Sequence, residues 1–226
     1  DVIPEEATKI ETTLWTNIIE TGGNISTHIV SVLDRYDNAA RGDIYTISMS
    51  LEGGGLVFED NGEDEIEYQV VEWYKAFRLK STSKDSINTL NIQVSDISGN
   101  IIEQESHTLR TIDEINLDFS LSGDVPKVWW DTYTYDITFT DEDGNILTDL
   151  DSRVYFGINK IYGQAVSAYT PVTWGQAQVE FSTSTLAARN IDVELQLEGG
   201  NDIYQKNITI LPDSAIKIDL NLSSDK

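Results

Sequence analysis

Apolar and polar residues alternate along most of this chain, and no other feature of the sequence constrains its fold as strongly. The clearest runs are residues 28–33, 65–70, 132–140 and 176–181. Side chains two positions apart share one face of a β-strand, so each run predicts a strand with one buried face. Turn pairs such as Asn61-Gly62 and Gly144-Asn145 separate the runs. We therefore expect an all-β fold of short antiparallel strands.

The chain also repeats itself. The matching blocks are residues 22–38 with 129–145, residues 73–83 with 174–184, and residues 90–94 with 191–195. The first block recurs at an offset of 107 and the other two at an offset of 101, which implies six extra residues in the first copy. At 226 residues, the chain is too long for one sandwich of about 100 residues and suits two. The boundary is predicted near Asp113, giving domains of residues 1–112 and 113–226.

Short motifs within the repeat resemble a known family. Residues 141–145 read Asp-Glu-Asp-Gly-Asn between two predicted strands, and residues 34–38 repeat this turn with Asp37 in place of the glycine. An Asp tolerates left-handed backbone better than most residues, so the turn survives this change. The later strands read Ala-Gln-Val-Glu-Phe at residues 177–181 and Ala-Phe-Arg-Leu at residues 76–79. Both halves thus resemble the bacterial immunoglobulin-like (Big, invasin–intimin-type) tandem domains of surface proteins.

This resemblance implies two tandem immunoglobulin-like antiparallel β-sandwich domains. It also implies that the domains serve as rigid spacers or carry an adhesive tip, and that the protein acts outside the cell. The chain opens without a basic, apolar leader, so we expect the secretion signal and the anchor to lie outside this segment.

The charge balance narrows the choice of partners. There are 39 acidic and 15 basic residues, a formal net charge of −24. Such a surface repels the phosphates of nucleic acids, and no apolar run approaches the roughly 18 residues of a membrane span. We expect neither nucleic-acid binding nor membrane insertion, and a monomeric fragment of a larger chain. Cysteine is absent, which excludes disulfides and thiolate metal sites from these residues.

Catalytic signals are weak. The two histidines are His28 and His107, and no nucleophile elbow, phosphate loop or zinc-binding His-Glu-x-x-His motif occurs. His28 aligns with Tyr135 in the second repeat, which favours a structural role, and His107 lies in a strand that we expect at the surface. The sequence therefore predicts a protein that is not an enzyme.

The most specific site hypothesis is calcium. Asp141, Asp143, Asn145, Asp149 and Asp151 fall within eleven positions on one predicted loop, and hard oxygen ligands suit Ca²⁺. In an immunoglobulin-like sandwich this loop faces the end where the chain enters, so the linker residues Asp113 and Glu114 would approach it. We predict that these seven residues bind a calcium ion that stiffens the junction. The alternative is a solvated acidic turn.

Four tryptophans stand at unusual places. Trp129 and Trp130 align with a pair of turn glycines in the first copy, and Trp73 aligns with Trp174. They are packing residues, or they form an aromatic ligand-binding surface, in which Trp129 and Trp130 would join Tyr133. A third interpretation is that the source reads UGA as glycine and that these positions are glycine in the organism.

The sequence therefore predicts a non-enzymatic stalk or adhesin module of a bacterial cell-surface or secreted protein, whose partner is a protein or glycan on another surface. Two alternatives stay open. One is a carbohydrate-binding accessory module of a secreted hydrolase, and the other is a virion or tail-fibre structural domain.

Overall fold

The computed structural model describes residues 6–22, 25–40, 43–128, 131–198 and 203–213. The strands of the first half are β1 (Lys9–Leu14), β2 (Ile18–Glu20), β3 (Ile25–Leu33), β4 (Tyr45–Glu52), β5 (Leu56–Phe58), β6 (Glu65–Val70), β7 (Tyr74–Ser81), β8 (Ile87–Ser95) and β9 (Ile101–Ile112). Those of the second half are β10 (Asn116–Ser122), β11 (Thr132–Thr140), β12 (Arg153–Ile158), β13 (Gly163–Ala165), β14 (Tyr169–Pro171), β15 (Gln176–Thr183), β16 (Ala188–Leu197) and β17 (Ile203–Ile210). Across the described ranges, no helix is long and apolar enough to cross a membrane.

These strands form four sheets that pack in pairs. The first sandwich joins the sheets β1-β3-β7-β5 and β2-β9-β8-β4-β6, and the second joins β10-β11-β15-β13 and β14-β12-β16-β17. Neighbouring strands are antiparallel, except that β2 runs parallel to β9. The prediction of two antiparallel β-sandwiches is therefore confirmed.

Each sandwich buries its own hydrophobic core. Phe58, Phe77 and Leu90 belong to the first core, which ends along the chain at Leu109. The second core contains Phe139, Phe156 and Phe181 and begins, toward the N-terminus, with residues of the first half: Ile112 and also Ile18. The boundary at residues 112 and 113 stays a prediction, because these two isoleucines precede it in the chain and pack beyond it.

The pairing of the first strands supports the offset of 107 between the two copies. Leu14 of β1 lies opposite His28, and Leu121 of β10 lies opposite Tyr135. The two acidic turns are also alike. Asp34 Oδ1 accepts hydrogen bonds from the amides of residues 36 and 38, and Asp141 Oδ1 accepts them from the amides of residues 143 and 145. The predicted left-handed position is present in both, with φ of 65° at Asp37 and 82° at Gly144.

The alignment of the next block is wrong by one residue. His28 pairs with Phe77, whereas its counterpart Tyr135 pairs with Val179, so the true offset in β7 and β15 is 102 and not 101. At an offset of 101, the buried Phe77 would correspond to the exposed Gln178. A shift of one residue turns every side chain to the other face of the sheet. The identical residues in the two blocks favoured the wrong offset.

This correction separates the two tryptophans. Trp73 corresponds to Gly175, and Trp174 is its preceding neighbour. Ala76, which the family pattern would place inward, is exposed, while Ala177 is buried. For the last two strands the offset of 101 is right, because Leu90 pairs with His107 just as Ile191 pairs with Ile208.

Candidate functional site at the junction of the two sandwiches

Asn17 connects the two sandwiches through its side-chain amide. It lies between β1 and β2, and its Nδ2 donates a hydrogen bond of 2.7 Å to the carbonyl oxygen of Asp149. The amide of Asp151 donates a bond of 2.9 Å to Asn17 Oδ1. One side chain thus satisfies both a backbone acceptor and a backbone donor of the β11–β12 loop, as a neighbouring strand would.

The residues beside Asn17 extend this contact. Thr16 and Ser152 form an antiparallel β-bridge, and the Ser152 hydroxyl donates a bond of 2.8 Å to the carbonyl oxygen of Trp15. Thr16 and Ser152 are 4% and 7% exposed. Buried polar groups cost free energy unless they are paired, so these bonds favour one relative placement of the sandwiches.

A second set of contacts fixes the linker. The amide of Ile115 donates a bond of 2.6 Å to Glu20 Oε1, and the Tyr204 hydroxyl donates one of 3.0 Å to the carbonyl oxygen of Ile115. Ile115 is 3% exposed and packs in the second core together with Ile18. The amide of Ile115 is therefore held by the first sandwich, and its carbonyl group is held by the second.

Two ion pairs surround these hydrogen bonds. Arg110 Nη1 lies 3.3 and 3.2 Å from the two carboxylate oxygens of Asp149. Lys84 Nζ lies 2.9 Å from Asp113 Oδ2, and the Thr21 hydroxyl donates a bond of 2.8 Å to Asp113 Oδ1. The bonds from Lys84 and then from Thr21 lower the pKa of Asp113. Both pairs are exposed to solvent, so each contributes little free energy and mainly adds to the registration of the two surfaces.

The residues predicted to bind calcium are distributed over this junction. Asp113 and Asp149 contact cations of the first sandwich, as described above. The carboxylate of Asp141 accepts a bond of 3.1 Å from the side chain of Asn145 and one of 2.8 Å from its backbone amide, and these bonds lower the pKa of Asp141. Asp143, Asp151 and Glu114 are exposed. Within the part of the chain that the structure describes, no three acidic or histidine side chains are grouped to hold a metal ion. Calcium coordination stays a prediction.

The predicted aromatic surface is described only at Tyr133. Trp129 and Trp130 lie outside the described residues. The Tyr133 hydroxyl accepts a bond of 2.9 Å from the amide of Lys127, and its ring centroid lies 6.1 Å from that of Phe181. Tyr133 therefore packs against the second core rather than standing free, and a binding role for the three aromatic residues stays a prediction.

The other two unusual tryptophans differ from each other. Trp174 has a φ of 55° and is 72% exposed. Trp73 is half-buried, and its ring meets that of Tyr74 edge to face at 5.1 Å. Left-handed backbone suits glycine and strains a bulky residue, so position 174 has the backbone of a glycine site. Trp73 does not share this left-handed backbone.

Neither histidine lies in a catalytic arrangement. His28 is fully buried beside Phe77, its two ring nitrogens have no hydrogen-bond partner, and burial, with a smaller effect of His107, lowers its pKa to about 3. His107 is half-buried, with Nε2 3.1 Å from Glu105 Oε2. A depression of about 590 Å³ on β6, β4, β8 and β9 is lined mostly by polar residues, and neither histidine lines it.

Sequence reasoning missed Asn17, Arg110, Ser152 and Glu20, because their partners lie more than 35 residues away and no local pattern marks them. It also missed a third acidic turn, for which the signal was present. Asp96 is followed by Gly99 and Asn100, and Asp96 Oδ1 accepts bonds of 2.8 Å from the amides of Ser98 and Asn100.

The fold and this junction define a pair of tandem immunoglobulin-like β-sandwich domains. No family model and no curated protein matches the chain. Among solved structures, it is similar to the FdeC adhesin of Escherichia coli, with 15% identity over 92% of this chain and 66% of that chain and a TM-score of 0.34. The D00-D0 domain of intimin matches with 14% identity over 91% of this chain and 100% of that chain, with a TM-score of 0.37.

A β-glucuronidase from glycoside hydrolase family 2 also matches, with 12% identity over 93% of this chain and 21% of that chain and a TM-score of 0.38. The chain thus spans just under two thirds of the adhesin chain and about a fifth of the hydrolase chain. The immunoglobulin-like architecture resembles that of bacterial surface adhesins. Structural similarity at this level does not show the function of this chain.

Proposed function

We propose that this chain is a non-enzymatic structural or adhesive segment of a bacterial cell-surface or secreted protein, located outside the cell. Its role is that of a spacer that holds a neighbouring part of the protein at a fixed direction. The observation that carries this proposal is the Asn17 side chain, which bonds to a backbone carbonyl and a backbone amide of the other sandwich.

A spacer requires a junction that resists bending, and this junction has the necessary properties. Only residues 113–115 separate β9 from β10, so the linker has little length in which to bend. Lys84 holds its first residue, Asp113, and Glu20 and Tyr204 hold its last, Ile115. Each hydrogen bond contributes about 1 kcal/mol, and several of them acting in one geometry favour a single arrangement over a broad ensemble.

Calcium binding at the junction is part of the same proposal. The exposed carboxylates of Asp143, Asp151 and Glu114 carry negative charge at this end of the second sandwich. A divalent cation would relieve their mutual repulsion. The hydrogen bonds of Asn17 involve no carboxylate, so we expect the junction to keep its geometry when calcium is removed and to gain stability when calcium binds.

The experiment measures the distance between the two sandwiches. Because the chain contains no cysteine, Gln69→Cys and Gln205→Cys introduce one spin label on each sandwich at exposed positions. We expect a narrow distance distribution in this labelled protein and a broad one when Asn17→Ala is added. Asn91→Ala is the matched control, because Asn91 also bonds through its amide but lies on the outer face of the first sandwich. A broad distribution without the Asn17 change would contradict the spacer proposal.

A further inference from the structure

The repeat continues past the second sandwich. Strand pairing fixes the offset of 101 in the last two strands of each sandwich, where Leu90 lies opposite His107 and Ile191 lies opposite Ile208. Continued without a gap, the same offset places the linker and β10 over residues 214–223. Residues 214–226 lie outside the described residues, so the comparison is one of sequence.

That sequence closely matches β10 and the residues around it. Residues 115–124 read Ile-Asn-Leu-Asp-Phe-Ser-Leu-Ser-Gly-Asp, and residues 216–225 read Ile-Lys-Ile-Asp-Leu-Asn-Leu-Ser-Ser-Asp. Five of the ten positions are identical, and apolar residues recur at the same alternate positions. In β10 those positions are Leu117, Phe119 and Leu121, and all three pack against the second core. The later segment therefore has the pattern of a first strand, including the side chains that such a strand buries.

Three apolar side chains are exposed at the end of the second sandwich from which this segment leaves, beside polar residues such as Lys160 and Thr185. Ile161, Leu186 and Val125 are 56%, 47% and 45% exposed. Ser184 ties the first two together, because its hydroxyl donates a bond of 2.6 Å to the carbonyl oxygen of Ile161 and accepts one of 3.2 Å from the amide of Leu186. Exposed apolar side chains grouped at one end of a sandwich are typical of a contact surface.

The corresponding end of the first sandwich is occupied by the second one. The amide of Thr82 donates a hydrogen bond to the carbonyl oxygen of Gly55, and the amide of Ser184 donates the equivalent bond to that of Tyr162. These bonds give an offset of 102, at which Leu186 occupies the position of Lys84. Lys84 contacts the linker residue Asp113, and at the offset of 101 the residue corresponding to Asp113 is Ser214. The Lys84–Asp113 ion pair of the first junction thus has no charged counterpart at positions 186 and 214.

We propose that this end of the second sandwich is the docking surface for a third sandwich of the same class, whose first strand has the sequence of residues 216–222. The inference deepens the spacer role, on which it rests, by identifying the kind of partner that this surface takes: another copy of the repeat, entered through a short linker.

A graft tests the strand in the full chain. Moving the sequence of residues 216–223 onto residues 115–122 requires four changes: Asn116→Lys, Leu117→Ile, Phe119→Leu and Ser120→Asn. We expect the second sandwich to fold, with a melting temperature lowered by less than about 10 °C through loss of the Phe119–Tyr135 stacking. The control graft uses residues 215–222, which puts Lys, Asp and Asn at the core-facing positions 117, 119 and 121 and should abolish folding. Unfolding of both grafts overturns the proposal.

A fusion tests the docking surface. Residues 125–213 attached after Asp225 supply every strand of a third sandwich except the first. We expect a third folded unit and a narrow spin-label distance between the second and third units, which Leu186→Asp broadens. In the unfused chain, the same substitution should leave the melting temperature within about 2 °C, because Leu186 is exposed there. A third unit that folds but is insensitive to Leu186→Asp refutes the docking surface. A flexible first junction with a successful graft refutes only the spacer role.

Discussion

His28 makes the first sandwich sensitive to mild acid. Its imidazole lies fully buried in the core, both of its nitrogens lack a hydrogen-bond partner, and its pKa is about 3 in place of the usual 6.5. Burial is the main cause, because a charged ring would lose its hydration, and the nearby His107 adds a smaller effect. The folded protein therefore keeps this ring neutral at pH values where the unfolded chain protonates it.

The sign and size of the effect follow from these two pKa values. Between about pH 3 and pH 6.5 the unfolded state binds more protons at this site, so the free energy of unfolding falls as the pH falls. The loss amounts to about 2 kcal/mol between pH 7 and pH 5 and reaches about 4 kcal/mol near pH 3. Asp60, Asp96, Asp113 and Asp141 have lowered pKa values, and their contributions are lost only below about pH 4. The interval from pH 5 to pH 7 therefore isolates the histidine.

The assay is urea unfolding at pH 5, 6 and 7, followed for the first sandwich by a probe on Gln69→Cys. We expect His28→Leu to remove most of the 2 kcal/mol difference between pH 5 and pH 7. At pH 7 the variant should be as stable as the parent or more stable by about 1–3 kcal/mol, because two unpaired buried nitrogens are removed. His107→Gln is the control and should keep most of the pH dependence. Equal pH dependence in the parent and in His28→Leu would refute the reasoning.

Two further predictions concern single positions and ions. Trp174→Gly should raise the stability of the second sandwich by up to about 1 kcal/mol, because it relieves the strain of left-handed backbone. Trp73→Gly should lower the stability of the first sandwich, because it removes the ring that contacts Tyr74. An equal fall in melting temperature for both variants would contradict the strain at position 174. Calcium added in place of a chelator should raise the melting temperature if the acidic residues at the junction bind it, and Asp143→Asn with Asp151→Asn should remove that rise. An unchanged melting temperature would count against calcium.

Much of this fold was predictable because strands have a short and strict period. The run at residues 132–140 predicted β11 nearly residue by residue, and the turn at residues 141–145 could be read from its letters because the Asp carboxylate bonds to amides two and four positions away. Register between strands is a different matter. The matched letters around Trp73 and Trp174 placed Ala76 inward, and only the pairing of His28 with Phe77 shows the shift.

The hydrogen bonds across the junction were not predicted. The sequence interpretation named Asp113 and Asp149 as calcium ligands, and in the structure they contact Lys84 and Arg110 of the first sandwich. The partners of these residues were invisible, since Asn17 and Arg110 look like any exposed polar residues until the two sandwiches are set side by side. Contacts between two sandwiches depend on their relative orientation, and no local period in the sequence encodes that orientation.

The parallel pairing of β2 with β9 has a mechanical consequence. The chain enters the first sandwich through β1 and β2 and leaves it through β9, so tension along the protein pulls these two adjacent strands in opposite directions. Their hydrogen bonds, including those from Arg110 to Asn17 and from Thr21 to Ile112, are then loaded together in shear instead of opening one after another. An array of such units under tension would unfold at high force and one unit at a time, and the pairing of β2 with β9 would resist the force in each unit.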